Sequence, residues 1–245
     1  MAVGLDLVVP PRALAVGAHA DDIEFGCGAT LAKWAAAGCE AHLLVLTDGS
    51  KGTWDPAADL EVLVARRERE QRAAAGVLGA TAVHFLGLVD GELRSGPQER
   101  AAVCELIRRV RPTIVLGQDP WKRYRLHPDH REAGLLTVEA MVAARDPHFF
   151  PDQDAPPHRP AHLLLFEAEV VDHLERVSER DIGAKLAALL CHESQRRSTM
   201  RIDATAPDAD AQRAAFEERV RERLGEAGAQ ADAGPAEAFK LLDDL

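Results

Sequence analysis

The chain has 245 residues, 47% of them hydrophobic, 28% charged and 4% aromatic, a length and composition that suit one α/β domain and exclude a mainly disordered polypeptide. Its net charge of −11, from 29 Lys+Arg against 40 Asp+Glu, weighs against a nucleic-acid partner bound through the phosphate backbone. Apolar runs such as Leu163–Phe166 fall far short of a membrane span, and Met1–Pro10 lacks the basic start and long apolar stretch of a secretory signal. A cytoplasmic protein with no membrane partner is therefore expected. Cys27, Cys39, Cys104 and Cys191 are scattered with no Cys-x-x-Cys pair, as expected of free thiols in a reducing compartment.

In chain order the pattern predicts a strand over Ala13–Ala18, a helix over Gly26–Ala37 and a strand over His42–Thr47. A long helix with a charged face follows over Asp59–Leu78, then a strand over Ala82–Leu86 and a helix over Gln98–Val110. Thr113–Leu116 reads as a strand, His130–Ala144 as a helix, Leu163–Glu167 as a strand and Ser178–Cys191 as a helix. Strands alternating with helices predict a mainly parallel sheet with right-handed crossovers. Two regions break the rhythm. Asp146–Pro160 is a proline-rich surface loop. Asp203–Leu245, with 11 acidic and 5 basic residues, reads as an acidic, partly helical appendage, with Gln212–Leu224 as its helix. The expected organisation is a catalytic domain over residues 1–202, with 203–245 appended to it.

In such a sheet the chemistry collects at the carboxyl ends of the strands. After the first strand comes Ala18-His19-Ala20-Asp21-Asp22-Ile23-Glu24, and after the fourth a loop ending in His127-Pro128-Asp129-His130. His19, Asp22 and His130 form an N,N,O donor set with room for water. It suits a catalytic zinc and equally an Fe(II) facial triad. Asp21, beside a ligand but pointing elsewhere, fits a general base, and His127 fits a group that stabilises an oxyanion or protonates a leaving amine. Asp129 fits a carboxylate that fixes a histidine tautomer. The plain alternative for Asp21 and Asp22 is an acidic helix N-cap. Gly26-x-Gly28 is the nearest approach to a dinucleotide fingerprint, and it lacks the third glycine.

The segment from Ala18 to Glu24 with Gly26-Cys27-Gly28, and His127-Pro128-Asp129-His130-Arg131, resemble the paired signatures of the PIG-L (LmbE-like) zinc-dependent N-acetylglucosaminyl deacetylases. Thr47-Asp48-Gly49, Arg67-x-x-Glu70, Asp90-Gly91 and His192-Glu193-Ser194-Gln195 are similar to further elements of that superfamily, so the resemblance runs from about Arg12 to Gln195. It implies a Rossmann-like three-layer fold and zinc, with Fe2+ as the other metal, held by His19, Asp22 and His130. It implies Asp21 as general base, and His127 as acid or oxyanion stabiliser oriented by Asp129. Arg67, Asp90 and Tyr124 are the expected substrate contacts. The implied reaction removes an N-acetyl group from a glucosamine-containing small molecule, of the thiol-cofactor or antibiotic type, in a homo-oligomer. An Fe(II) oxygenase on the same triad and a metal-binding member without turnover are the alternatives.

Overall fold

The computed structural model describes residues 3–243. The strands are β1 (Gly4–Leu5), β2 (Arg12–Gly17), β3 (Glu40–Thr47), β4 (Ala82–Leu88), β5 (Ile114–Gln118), β6 (His162–Phe166), β7 (His173–Arg176) and β8 (Ala236–Asp243). The helices are α1 (Asp22–Ala36), α2 (Leu60–Leu78), α3 (Pro97–Val110), α4 (Pro128–Arg145), α5 (Glu179–Leu190) and α6 (Ala209–Ala229). One 8-stranded sheet has the order β1-β7-β8-β6-β5-β2-β3-β4, parallel throughout except where β8 runs antiparallel to β6 and β7.

The strands alternate side chains between two apolar layers, which is why they read as continuous hydrophobic runs. Ala13, Ala15, Leu43 and Leu116 pack with α1, α2 and α5 through Leu31, Trp34, Leu78 and Ala188. Leu14, Val16, Leu44 and Val115 pack on the other face with α3 and α4 through Cys104, Ile107, Leu136 and Ala140. The result is a three-layer α/β fold. Helix ends follow local chemistry. The Asp59 side chain accepts hydrogen bonds from the Glu61 and Val62 amides at the start of α2, and Gly79 closes that helix at φ 75. Ser178 and Asp181 form a capping box on α5. Among the described residues no helix is long and apolar enough to cross a membrane.

The acidic C-terminal segment carries the expected helix within α6. It also supplies β8, which lies inside the sheet between β6 and β7. This strand holds α1 in shape. Helix α1 breaks at Cys27 (φ −147, ψ 20), leaving the amides beyond the break without intrahelical acceptors. Glu237 of β8 accepts from Ala29 N at 3.1 Å and Thr30 N at 2.7 Å, and so caps the second half of the helix from a distant strand. Lys185 Nζ donates to Glu237 at 2.5 Å and to the Phe25 carbonyl at 2.7 Å. The break lies beside Gly26, where a Cβ would sit 2.3 Å from the Phe166 ring, so only glycine lets α1 pass this close to β6.

At the sheet edge, Lys33 of α1 donates to Glu175 at 2.6 Å and to Asp6 at 3.0 Å. Burial alone would raise both carboxyls. Hydrogen bonds from His173 and Lys33 to Glu175, and from Lys33 and Arg176 to Asp6, outweigh it and hold both below their ordinary values. The folded state therefore binds fewer protons at these sites than the unfolded chain does. Their contribution is complete above about pH 4.5 and is lost as pH falls through the depressed folded values. Urea unfolding is expected to show wild type weakening between pH ~5 and ~3. Glu175→Gln should begin about 3 kcal/mol less stable at neutral pH and weaken less over that interval. Equal acid sensitivity in the two proteins would remove this cluster from the account.

Candidate active site

Strand β2 pairs with β3 on one side and β5 on the other, so the direction of winding reverses there and a crevice opens at the carboxyl ends of β2 and β5. The loop after β2 delivers His19 and Asp21 and leads straight into Asp22, the first residue of α1; the loop after β5 ends in His127, which precedes α4 and its Asp129 and His130. Proline at the start of α4 fixes that entry. The two loops meet across a cavity of about 810 Å³.

Asp22 ties the cluster together. It accepts from the His19 amide at 2.8 Å, and its two carboxylate oxygens lie 3.3 Å from His19 Nδ1 and 3.3 Å from His130 Nε2. The opposite edge of His19 is engaged as well, since Nε2 lies 3.1 Å from both Asp90 and Asp129. Burial would lower the His19 pKa, but hydrogen bonds to Asp129, Asp22 and Asp90 push it up to about 12. Burial likewise works against protonating His130, and Asp22 overrides it and raises that group. His127 stands 4.6 Å from His19 and 4.9 Å from His130, ring centre to ring centre. Burial and the two neighbouring imidazoles lower its pKa, which leaves it the neutral member of the group. Ring nitrogens of His19, His127 and His130 all lie within 4.8 Å of one another.

Asp21 is unlike its neighbour. Its backbone is left-handed (φ 96, ψ −25), which turns its side chain away from that of Asp22. It is 5% exposed, and its Oδ2 has no hydrogen-bond partner. Burial raises its pKa to about 6 against the opposing charge of Arg67, whose guanidinium is 3.9 Å away. The three imidazoles gathered with the carboxylates of Asp22, Asp90 and Asp129 fit a divalent cation, and the mixed N,O donor set suits zinc or iron.

The other expected residues divide. Arg67 lines the cavity, but it is buried and spends its guanidinium on the Gly49 carbonyl at 2.9 Å and the Ala20 carbonyl at 2.8 Å, fastening the two loops together. Gly49, at φ 65, leaves room for it, as an added Cβ would meet Arg67 at 2.7 Å. Asp90 also lines the cavity, and besides His19 it accepts from the Lys51 amide at 3.0 Å. Asp129 is placed on His19 and on the Gly91 and Leu93 amides, not on His127. Tyr124, expected as a substrate contact, is not among the residues lining the cavity. It is 86% exposed, in a left-handed turn at φ 59. Gly26 and Gly28 lie within α1, with Gly26 packed against Phe166, so they form no phosphate-cradling loop.

Gln195, left without a role by the sequence reading, also lines the cavity, and its neighbours Ser194 and His192 pack behind it. Gln195 donates to the Gly52 carbonyl at 3.0 Å, and Ser194 donates to Glu70 of α2 at 2.9 Å through its amide. His192 is fully buried, 3.5 Å from Glu24. Lys185, Glu237, Val220, Arg223, Leu224 and Ala227 form the wall opposite the histidines.

Residues 14–141 match the PIG-L family, described as GlcNAc-PI de-N-acetylase. The chain belongs to the PIG-L family. The diacetylchitobiose deacetylase of Thermococcus kodakarensis is 35% identical to this PIG-L protein over 187 residues, covering 75% of this chain and 70% of that one. A 1D-myo-inositol 2-acetamido-2-deoxy-α-D-glucopyranoside deacetylase of Streptomyces avermitilis is 32% identical over 170 residues. That match covers 59% of this chain and 58% of the relative, so the chain spans little more than half of the relative's length. The solved N,N′-diacetylchitobiose deacetylase of Pyrococcus horikoshii superposes with a TM-score of 0.84 at 25% identity, over 96% of this PIG-L chain and 84% of that structure.

Proposed function

We propose that this protein is a metal-dependent hydrolase that removes the N-acetyl group from a glucosamine-containing small molecule, releasing acetate and a free amine. One juxtaposition supports the reading most. The unpartnered carboxylate oxygen of Asp21 and the His19–Asp22–His130 donors line the same cavity. The deacetylase names of the relatives favour hydrolysis over an oxygenase on the same triad.

His19 through Nδ1, Asp22 and His130 through Nε2 would hold the ion, and Asp90 and Asp129 on the far edge of His19 keep a proton on Nε2, so that the ion would take the place of the proton Nδ1 shares with Asp22. Bound there, a zinc or ferrous ion polarises the acetamide carbonyl and acidifies water. Asp21 takes the proton of the attacking water as its oxygen bonds to the carbonyl carbon. Neutral His127 stands across the cluster to donate a hydrogen bond to the oxygen that gains charge, and Asp21 returns the proton it took from water to the nitrogen as the C–N bond breaks. Arg67 keeps Asp21 ionised and, by tying Ala20 to Gly49, holds it in place.

The test is amine release from N-acetylglucosamine and from its inositol, cysteinyl, malate and antibiotic-type glycosides. Release from at least one of them is expected, lost on chelation and restored by Zn2+ or Fe2+, with the better metal naming the native one. Protein that carries metal and releases no amine from any of them would sink the deacetylase reading.

A further inference from the structure

The cavity is large for one amino sugar. Its volume of about 810 Å³ sits high in the range of about 300–1,000 Å³ that encloses drug-sized ligands. The histidine and aspartate cluster takes up one end. The other end is walled by α6, whose Val220, Arg223, Leu224 and Ala227 follow the spacing of a single helix stripe. Ala236, Glu237 and Ala238 of β8, Lys185 of α5 and Phe25 of α1 line the cavity beside it. Val220 and Leu224 also pack with Ile182, Leu186 and Met200, so the stripe is held rigidly. Apart from Arg223, its hydrogen-bonding side chains are the Lys185–Glu237 pair, which is spent on itself, so a second neutral sugar would leave hydroxyls unpaired there.

The cations around the cavity are not equivalent. Lys51 lies 3.2 Å from Glu92, Arg67 is bound to two backbone carbonyls, and Lys185 is paired with Glu237. Glu167, the remaining cavity carboxylate, is paired with Arg125 at 2.7 Å. Lys122 and Arg223 have no acidic partner among the described residues, although the chain carries 40 acidic residues.

We infer that the α6–β8 end of the cavity is a subsite for the group attached to the acetylated amino sugar, and that this group is apolar and anionic, read by Arg223 and Lys122. The inference rests on the deacetylase reading for its sugar end only. It names a substrate class different from the neutral disaccharide after which the Thermococcus relative is called.

The probes are phenyl, 4-carboxyphenyl and 4-(trimethylammonio)phenyl N-acetylglucosaminides in both anomers, together with their deacetylated counterparts. On the wild-type protein kcat/KM should favour the carboxyphenyl over the phenyl compound by about three- to tenfold, and the trimethylammonio compound should be poorest. Arg223→Gln with Lys122→Gln should bring the carboxyphenyl-to-phenyl ratio close to one, and Arg223→Lys should keep most of it. Equal rates on the wild type, or an unchanged ratio in the double variant, would overturn the inference. Calorimetric binding of the deacetylated compounds separates the two readings. If no compound is turned over but binding keeps its order of charge and loses it in the double variant, the subsite stands and the deacetylase reading falls. If turnover occurs while binding shows no order of charge, the subsite falls and the deacetylase reading stands.

Discussion

Asp21→Asn is expected to fold, to keep its metal and to lose about 10²–10⁴-fold of turnover, the range a general base contributes. The substitution is a clean probe for a structural reason. Asp21 sits at φ 96, a left-handed conformation that asparagine tolerates better than most side chains do. Its amide bond to Gln71, at 3.2 Å, is made by the backbone and survives. The change removes a charge that Arg67 opposes, so a stability change within about 1 kcal/mol is expected. His130→Ala provides the contrast. It removes one of the two imidazoles joined through Asp22 and should abolish both bound metal and turnover. Metal content by mass spectrometry beside initial rates checks both variants. Full turnover in Asp21→Asn would withdraw Asp21 from the chemistry.

The second large effect lies away from the histidines. Glu237→Ala should cost about 3–5 kcal/mol, because Lys185 would be left as a buried charge with no counter-charge. The Ala29 and Thr30 amides would lose their acceptor as well, at a cost of about 1–2 kcal/mol each. Glu237→Leu with Lys185→Met should recover the charge penalty but not the capping loss, so the double variant should fall between Glu237→Ala and wild type. Metal affinity should track the same order, because the first half of α1 carries Asp22. Urea unfolding with a metal titration reads both quantities. A Glu237→Ala protein within about 1 kcal/mol of wild type would mean that α1 holds itself together.

Much of the fold was legible because its central strands are apolar runs bounded by helices of clear period. Expected and observed bounds for β2, β3, β5 and β6 differ by only a residue or two. The two His/Asp clusters were legible for the same reason. Once β2 and β5 are parallel neighbours, the loops that follow them must open on one edge. Edge elements were not legible. β1 is only Gly4–Leu5 and β7 is short and largely polar, and they are held by Asp6, Lys33 and Glu175. β8 was hidden by composition. Ala236-Glu237-Ala238-Phe239 sits in an acidic stretch, and Glu237 reads as surface charge until Lys185 is found beside it, more than fifty residues earlier. Partnerships with the backbone were not legible either. Arg67 carries the charge of a substrate contact, but two carbonyls and the glycine turn at Gly49 claim its guanidinium.

The place of β8 also decides the order in which the sheet can be assembled during synthesis. β6 and β7 are not hydrogen-bonded to each other and meet only through β8, which leaves the ribosome after α5 and α6. At about 5–20 residues per second, the interval from the end of β7 to the start of β8 lasts roughly 3–12 s. Throughout it the His-Leu-Leu-Leu-Phe edge of β6 is open, an apolar strand of the kind that pairs readily with another chain. The nascent protein therefore passes through a sticky stage that ends only when residues 236–243 arrive, and slower synthesis lengthens that exposure.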